Sequence, residues 1–310
     1  MGISQYIKEI GRGKQGARSL SRAQATDLFG QILDGTVSDL ELGGFCLAMR
    51  IKGETAQEMA GFLDAMAARL NHVPAGDKPL VVLPSYNGAR KLPVLTPLLA
   101  LLLAQRGVPV LVHGTATETS RVFVPHVLEA LGMRARTSVG PIANGEAAYL
   151  PTELLSPGLK RLLDVRRVVG LRNSGHSLVK LMNPCAGPAV IVSSYTHPEY
   201  AISMAEVFEL MGSTALLLRG TEGEVVADAR RLPQMDGFIA GRRVALQEGR
   251  KGTLTDLPDL PKDISPETTA AYIQDVLAGR KPVPDSLALQ VEHILQLVHA
   301  STPTPMAETA

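Results

Sequence analysis

The sequence predicts an α/β protein in two parts: a small N-terminal helical domain over residues 1–75, then a larger α/β domain over residues 76–310 with a mainly parallel central sheet flanked by helices. Three observations carry that prediction. Three Ser/Thr-x-x-Glu/Gln helix starts crowd the first part. From residue 77 onward, apolar runs of strand length alternate with helical segments. Between them, residues 79–114 read as strand, basic turn, helix and returning strand, the unit from which a parallel sheet grows.

In chain order, Ile3, Tyr6, Ile7 and Ile10 repeat at helical spacing. Gly11-Arg-Gly-Lys-Gln-Gly16 then satisfies G-x-G-x-x-G, but a dinucleotide fingerprint needs a buried strand before it and a βαβ unit around it, and neither is present. The segment reads instead as a Gly-rich basic loop whose Arg12, Lys14 and Arg18 are free to follow a phosphate backbone, or as a plain solvated linker. Ser21–Gln24, Ser38–Glu41 and Thr55–Glu58 are capping boxes, in which side chains satisfy N–H groups that the first helical turn leaves unpaired. Apolar residues at helical spacing follow, such as Leu28, Ile32 and Leu33, or Met59, Phe62, Leu63 and Met66. Gly35 and Gly53 act as stops, and the helical part ends near Pro74-Ala-Gly76.

Leu80–Leu83 and Val108–Val112 are strands, with a buried helix over Leu92–Gln105 that Gly107 ends. Ligands gather at the carboxyl ends of strands in an open parallel sheet, so the turn Ser85–Lys91 is placed to touch one. Asn87-Gly88 supplies tight backbone geometry and Arg90-Lys91 supplies positive charge beside an expected helix N-terminus, which together make an anion site. The alternative is an ordinary turn with solvated cations. Ala189–Ser193 and Ala215–Leu218 are later strands, separated by a helix that Pro198 opens and Gly212 closes. A proline-rich acidic loop, Pro258–Pro266, leads to helices near 267–278 and 286–299, and Ser301–Ala310 reads as a frayed tail.

Composition narrows the function classes. Two distant cysteines in apolar segments, Cys46 and Cys185, give neither a disulfide framework nor metal spacing and read as core thiols in a reducing compartment. The N-terminus lacks a signal-peptide apolar core, and the apolar run Leu92–Ala104 is broken by prolines and falls short of the roughly 20 residues a membrane span needs, so a cytoplasmic protein is expected. The net charge of +1 conceals segregation. Residues 1–24 hold Lys8, Arg12, Lys14, Arg18 and Arg22 against Glu9 alone; residues 160–180 hold six bases against Asp164 alone; residues 254–310 hold eight acids against three bases. Such segregation generates a local positive field suited to a polyanion.

Catalytic motifs are sparse. The seven histidines form no H-E-x-x-H or Cys/His pattern, and there is no G-x-S-x-G elbow. Glu222-Gly-Glu224 with Asp228 offers magnesium ligands in one loop, or simply solvated acids.

Glu41-Leu-Gly-Gly-Phe-Cys-Leu-Ala-Met-Arg-Ile-Lys-Gly-Glu-Thr55 followed by Met59-Ala-Gly-Phe62 resembles the helical-domain signature of anthranilate phosphoribosyltransferases and related nucleoside phosphorylases. The resemblance continues through His113-Gly114, Val127–Gly132, Val165-Arg166, Gly170-Leu-Arg172 and Leu181-Met-Asn-Pro184, and so spans most of the chain. It implies a helical domain that forms a dimer interface, joined to a larger α/β domain. The departures are equally specific. The family's Gly-Thr-Gly-Gly-Asp pyrophosphate loop is here Ser85-Tyr-Asn-Gly-Ala-Arg90, and its Lys-His-Gly-Asn is Val112-His113-Gly114-Thr115. Its Asp-Glu magnesium pair is Gly223-Glu224, its acceptor-site Gly-Pro is Val179-Lys180, its His-Pro is Ser156-Pro157, and of the acceptor-site residues only Arg166 is retained. Transfer from a diphosphate needs a metal on the leaving group and close amide approach to its oxygens, and the departures remove both.

Gly11-Arg-Gly-Lys, Pro84–Lys91, Arg172-Asn-Ser-Gly-His176 and His197-Pro-Glu-Tyr200 resemble the YbiB-like branch of this fold, whose members are described as DNA-binding proteins without the transferase activity. The expectation is therefore a homodimer, without catalytic residues, metal or cofactor, that binds nucleic acid largely independently of sequence. Its basic groove is expected to use Arg12, Lys14, Arg18, Tyr86, Asn87, Arg90, Lys91, Arg166, Arg172 and Lys180, with Tyr86 stacking on an unpaired base. Ser85, His113 and Glu224 remain as the residual family site. The alternative is a phosphoribosyltransferase or phosphorylase with an altered acceptor, using Glu224 for magnesium and the Arg90-Lys91 turn for phosphate.

Overall fold

The structure, a computed structural model, describes residues 2–302. It opens on helices α1 (Ser4–Ile10), α2 (Gly13–Gly16), α3 (Arg22–Asp34), α4 (Asp39–Lys52) and α5 (Ala56–Ala67). All three capping boxes form, each with reciprocal side-chain and backbone hydrogen bonds. Two of them also tie the layer together. Glu41 accepts from the Ile3 amide at 2.9 Å, and Glu58, fully buried, accepts from the Leu20 amide at 2.9 Å and the Lys52 ammonium at 2.7 Å. Gly35 ends α3 in the left-handed conformation. At the centre, Phe29 stacks on Phe62 with ring centroids 4.6 Å apart, and Phe45 meets both rings edge-on.

The α/β part runs β1 (Leu80–Ser85), α6 (Thr96–Gln105), β2 (Val110–Gly114), α7 (Val124–Ala130), β3 (Ala147–Pro151), α8 (Thr152–Leu155), α9 (Pro157–Val169), α10 (Gly175–Leu178), β4 (Ala189–Tyr195), α11 (Pro198–Met211) and β5 (Ala215–Arg219). After a 3-10 turn at Thr221–Gly223 come β6 (Met235–Ile239), β7 (Arg242–Gln247), α12 (Pro266–Leu277) and α13 (Asp285–Ser301). The sheet order is β3-β2-β1-β4-β5-β6-β7, parallel through β5, with β6 and β7 antiparallel. Alternation along β1 assigns its two faces: Leu80 and Val82 join the core under the helical layer and α11, while Val81 and Leu83 join the core beneath α6, α12 and α13. Topology then positions the site. From β1 the chain winds outward through β2 and β3, then returns to lay β4 on the other side, so the carboxyl ends of β1 and β4 border the switch point where a crevice opens.

Helix α6 starts at Thr96, not at Leu92 as the apolar run suggests; Pro97 occupies its first turn, where a missing N–H breaks no intrahelical bond. Helix α9 lies in the stretch read from sequence only as basic. Ser156 caps it through the Leu159 amide, Pro157 opens it, Leu159, Leu162 and Leu163 are buried and Gly170 ends it. It packs on α3 with Gly158 against the Leu33 backbone and Arg161 donating to the Ile32 carbonyl at 2.9 Å, so residues far beyond 75 contribute to the helical layer. Cys46 and Cys185 are buried free thiols, and burial pushes Cys46 up to about 11. Among the described residues, no helix is long and apolar enough to cross a membrane. The expected frayed tail falls, from residue 303 onward, outside the described residues.

Candidate functional site

The turn after β1 is already filled from within. The loop after β5 brings two glutamates onto it, and Gly223 (φ +90°) makes the approach feasible, because a Cβ there would collide with the Asn87 side chain. Glu224, 2 % exposed, accepts through Oε1 from the Asn87 and Gly88 amides, both at 2.8 Å, and through Oε2 from Ser85 Oγ at 2.6 Å and Thr96 Oγ1 at 3.0 Å. Glu222 Oε2 accepts from the amides of Arg90, Lys91 and Leu92 at 2.7, 3.1 and 3.4 Å.

The expected anion site is corrected accordingly. The amides it would use hold the chain's own carboxylates, and α6 begins beyond Lys91 at Thr96, so Arg90 and Lys91 do not adjoin a helix N-terminus. Their side chains remain exposed at the surface, without an ion pair among the described residues.

Other expected contacts are buried. Tyr86 is 3 % exposed, its hydroxyl 2.8 Å from both His113 Nδ1 and Thr152 Oγ1, so its ring is not available to stack on a base. Asn87 is buried with its side-chain amide donating to the Glu222 carbonyl, which removes it from the contact surface. Ser85 and His113 are likewise enclosed, and burial lowers His113 to about 3, leaving it neutral. Nor does the acidic loop converge on a metal. Asp228 is drawn off by Arg230, with oxygens 2.9 and 3.0 Å from the guanidinium, and among the described residues no group of three His, Cys, Asp or Glu could hold a metal ion.

Beside the turn lies a cleft of about 380 Å³ between the α4–α5 corner and the α10–β4–α11 segment. Lys180 lines it with its ammonium donating to the Ser194 carbonyl (3.1 Å), Ser194 Oγ (3.3 Å) and the Gly223 carbonyl (3.0 Å); burial lowers it to about 8, and Glu224 opposes that shift. Lys180 is therefore a fixed charge spent on neutral oxygens. His176 Nε2 has no partner among the described residues, and burial, with Arg172 and Arg166 nearby, lowers this ring to about 3.

Arginines converge at the cleft's edge. Arg172 lines it without a carboxylate partner among the described residues; burial lowers its pKa, followed by the charges of Arg166, Arg121 and Arg50, against Glu118 as the opposing acid. Arg121 Nε is 2.7 Å from Glu118 and another of its nitrogens donates to the Asn87 carbonyl at 3.0 Å, while Arg166 donates to Thr117 Oγ1 at 3.2 Å and lies 3.5 Å from Glu118. Arg166, Arg172 and Lys180 are thus brought together as expected residues. Arg50 and Arg121 were missed, because nothing in their local sequence separates them from any surface arginine.

The N-terminal basic residues lie apart. Arg12 pairs with Glu9 at 2.6 Å, Arg18 is exposed, and neither lines the cleft; α2 packs on α4, and the Lys14 side chain is outside the described residues.

A helical layer docked on a switch-point sheet, with a cleft between them, defines a phosphoribosyltransferase-type fold. Residues 4–70 match the glycosyl transferase family helical bundle domain. Over 301 residues the chain is 42 % identical to the uncharacterized protein YbiB of Escherichia coli K12, covering 94 % of this chain and 92 % of that protein. It is 27 % identical to the anthranilate phosphoribosyltransferase of Beijerinckia indica, covering 92 % and 84 %. The crystal structure of anthranilate phosphoribosyltransferase from Thermus thermophilus superposes with a TM-score of 0.71 at 25 % identity, covering 96 % of this chain and 88 % of that one. The chain belongs to the anthranilate phosphoribosyltransferase-like glycosyl transferase family, in its YbiB-like branch.

Proposed function

We propose that this protein binds nucleic acid, largely independently of sequence, through the basic edge of its interdomain cleft, and that it carries out no phosphoribosyl transfer. The observation that carries the reading is the gathering of Arg50, Arg121 and Arg166 near Arg172, where Glu118 contacts Arg121 and Arg166 and Glu54 lines the cleft beside Arg50 and Arg172. Arginine forks suit phosphate oxygens, and an unpaired cation held partly out of water gains most from an arriving anion. Arg90 and Lys91 extend this surface, and the N-terminal Arg12, Lys14 and Arg18 add positive charge on the other domain. DNA and RNA both satisfy the same contacts. No cofactor enters the reading.

Support for the loss of transfer comes from Glu224, whose two oxygens already take four hydrogen bonds. A second reading, transfer or phosphorolysis with an altered acceptor and a magnesium ion on Glu224, is favoured by the retained Ser85, His113 and Arg166. With anthranilate, phosphoribosyl diphosphate and magnesium, no turnover is expected; steady turnover that disappears in Glu224→Ala would replace the first reading by the second.

A homodimer completes the proposal. Along α4, Leu40 (88 % exposed), Leu47 and Ile51 (69 % exposed) form an apolar line with Gly43 between them, a stripe fitted to a second copy of the chain. Light scattering at micromolar concentration is expected to give the dimer mass, and Leu47→Asp with Ile51→Asp to give the monomer; a monomer without substitution would exclude this surface.

A further inference from the structure

We propose that His197 and Tyr200, at the start of α11, form a stacking platform that seats one unpaired base at the mouth of the cleft, so that a single strand is held in preference to a duplex. The inference deepens the nucleic-acid reading and rests on it. That reading engages phosphates alone, and the His197-Pro-Glu-Tyr200 motif has no part in it.

The chain has six tyrosines, and among the described residues Tyr200 is the exposed one, at 39 %. Tyr86, Tyr149 and Tyr272 are buried, and Tyr6 gives its hydroxyl proton to Asp27. His197 precedes α11 with its ring exposed and makes no capping hydrogen bond, because Pro198 opens the helix without one. Tyr200 follows three residues later, which brings both rings to one side of the first turn. The ring centroids are 6.2 Å apart and the planes incline at 50°, so the two rings do not stack on each other. Both residues line the cleft. Further along the same lining stripe of α11, exposure falls to 8 % at Met204 and 2 % at Val207, so the rings stand at the mouth and the apolar side chains behind them.

A base inside a duplex has both faces covered by its neighbours, whereas an unpaired base offers a face to an aromatic ring. Every base has such a face, so stacking adds affinity without adding sequence preference. Arg50 and Arg172 line the same cleft and are placed to hold the phosphates on either side of a seated base. The platform thus takes the role that the enclosed Tyr86 cannot fill, at a different place in the fold.

The test uses fluorescence anisotropy on the full-length protein with three labelled ligands: an oligothymidylate, a strand of equal length in which tetrahydrofuran replaces every base, and a duplex. The first two carry the same phosphates and differ only in bases. The oligothymidylate is expected to bind about tenfold more tightly than the strand without bases, and Tyr200→Ala to remove that difference. Tyr200→Phe, which keeps the ring, is expected to preserve it, and His197→Ala to reduce it. In Tyr200→Ala, affinity for the duplex and for the strand without bases should stay within about twofold, and the salt slope should not change, because no phosphate contact is lost. Thermal melting checks that each variant remains folded. Equal binding of the two strands, or an equal loss for both in Tyr200→Ala, overturns the platform and leaves the phosphate contacts standing. A loss in Tyr200→Phe as large as in Tyr200→Ala also overturns it, since the hydroxyl would then be the contact. If none of the three ligands binds, the nucleic-acid reading fails and the platform with it.

Discussion

Affinity for duplex DNA is expected to fall by about 10³-fold or more between about 50 and 200 mM salt, the loss for neutralising six or more phosphates. Counterions released from the duplex drive such binding, and added salt removes that gain. Replacing Arg90 and Lys91 by Ala should weaken binding to unrelated sequences by similar factors and lower the slope of log affinity against log salt by about 2, since each contacted phosphate contributes about 0.9. Arg172→Ala should act in the same direction, and it removes a cation without a carboxylate partner among the described residues. A flat salt response, or an unchanged slope in variants that remain folded, would leave the basic cluster without this role.

Removing the Glu224 carboxylate should lower stability by about 3 kcal/mol or more, because Glu224→Ala leaves four buried donors without a partner. Lys180 also loses the acid that opposes its desolvation. Glu224→Gln retains an oxygen for the Asn87 and Gly88 amides, and the Ser85 and Thr96 hydroxyls can turn to accept, so its loss should be about 1 kcal/mol. Denaturant unfolding measures both. Nucleic-acid affinity of the folded Gln variant should stay within about twofold, given that this carboxylate faces its own chain rather than a ligand. A large affinity change without a stability change would reassign Glu224 from holding the turn to contacting the ligand.

Much of the fold was legible because it depends on short-range chemistry. Each capping box joins residues three apart, and each helix stop at Gly35 or Gly212 needs only a residue that tolerates positive φ, so local sequence is enough to write them. The β-branched runs of β1, β2 and β4 are readable for the same reason, as both faces of those strands are buried. Helix α9 carried comparable signals in Ser156, Pro157 and Gly170, but its basic residues drew the reading toward charge.

Charge segregation and the resemblance to the transferase family also pointed to the carboxyl end of the sheet and to Arg166, Arg172 and Lys180, which lie near one another beside the cleft. Which groups are free there was decided only by the tertiary structure. Tyr86 and Asn87 sit in a turn that reads as exposed, yet the sheet and the returning loop cover them. Glu222 and Glu224 lie 130 or more residues along the chain from the amides they occupy, and Arg172 feels the charge of Arg50 only because the helical layer closes on the switch point, and that of Arg121 because the loop after β2 folds back toward it. Hydrogen bonds and charges act through space, so a pattern along the chain can name the polar groups of this site but not pair them.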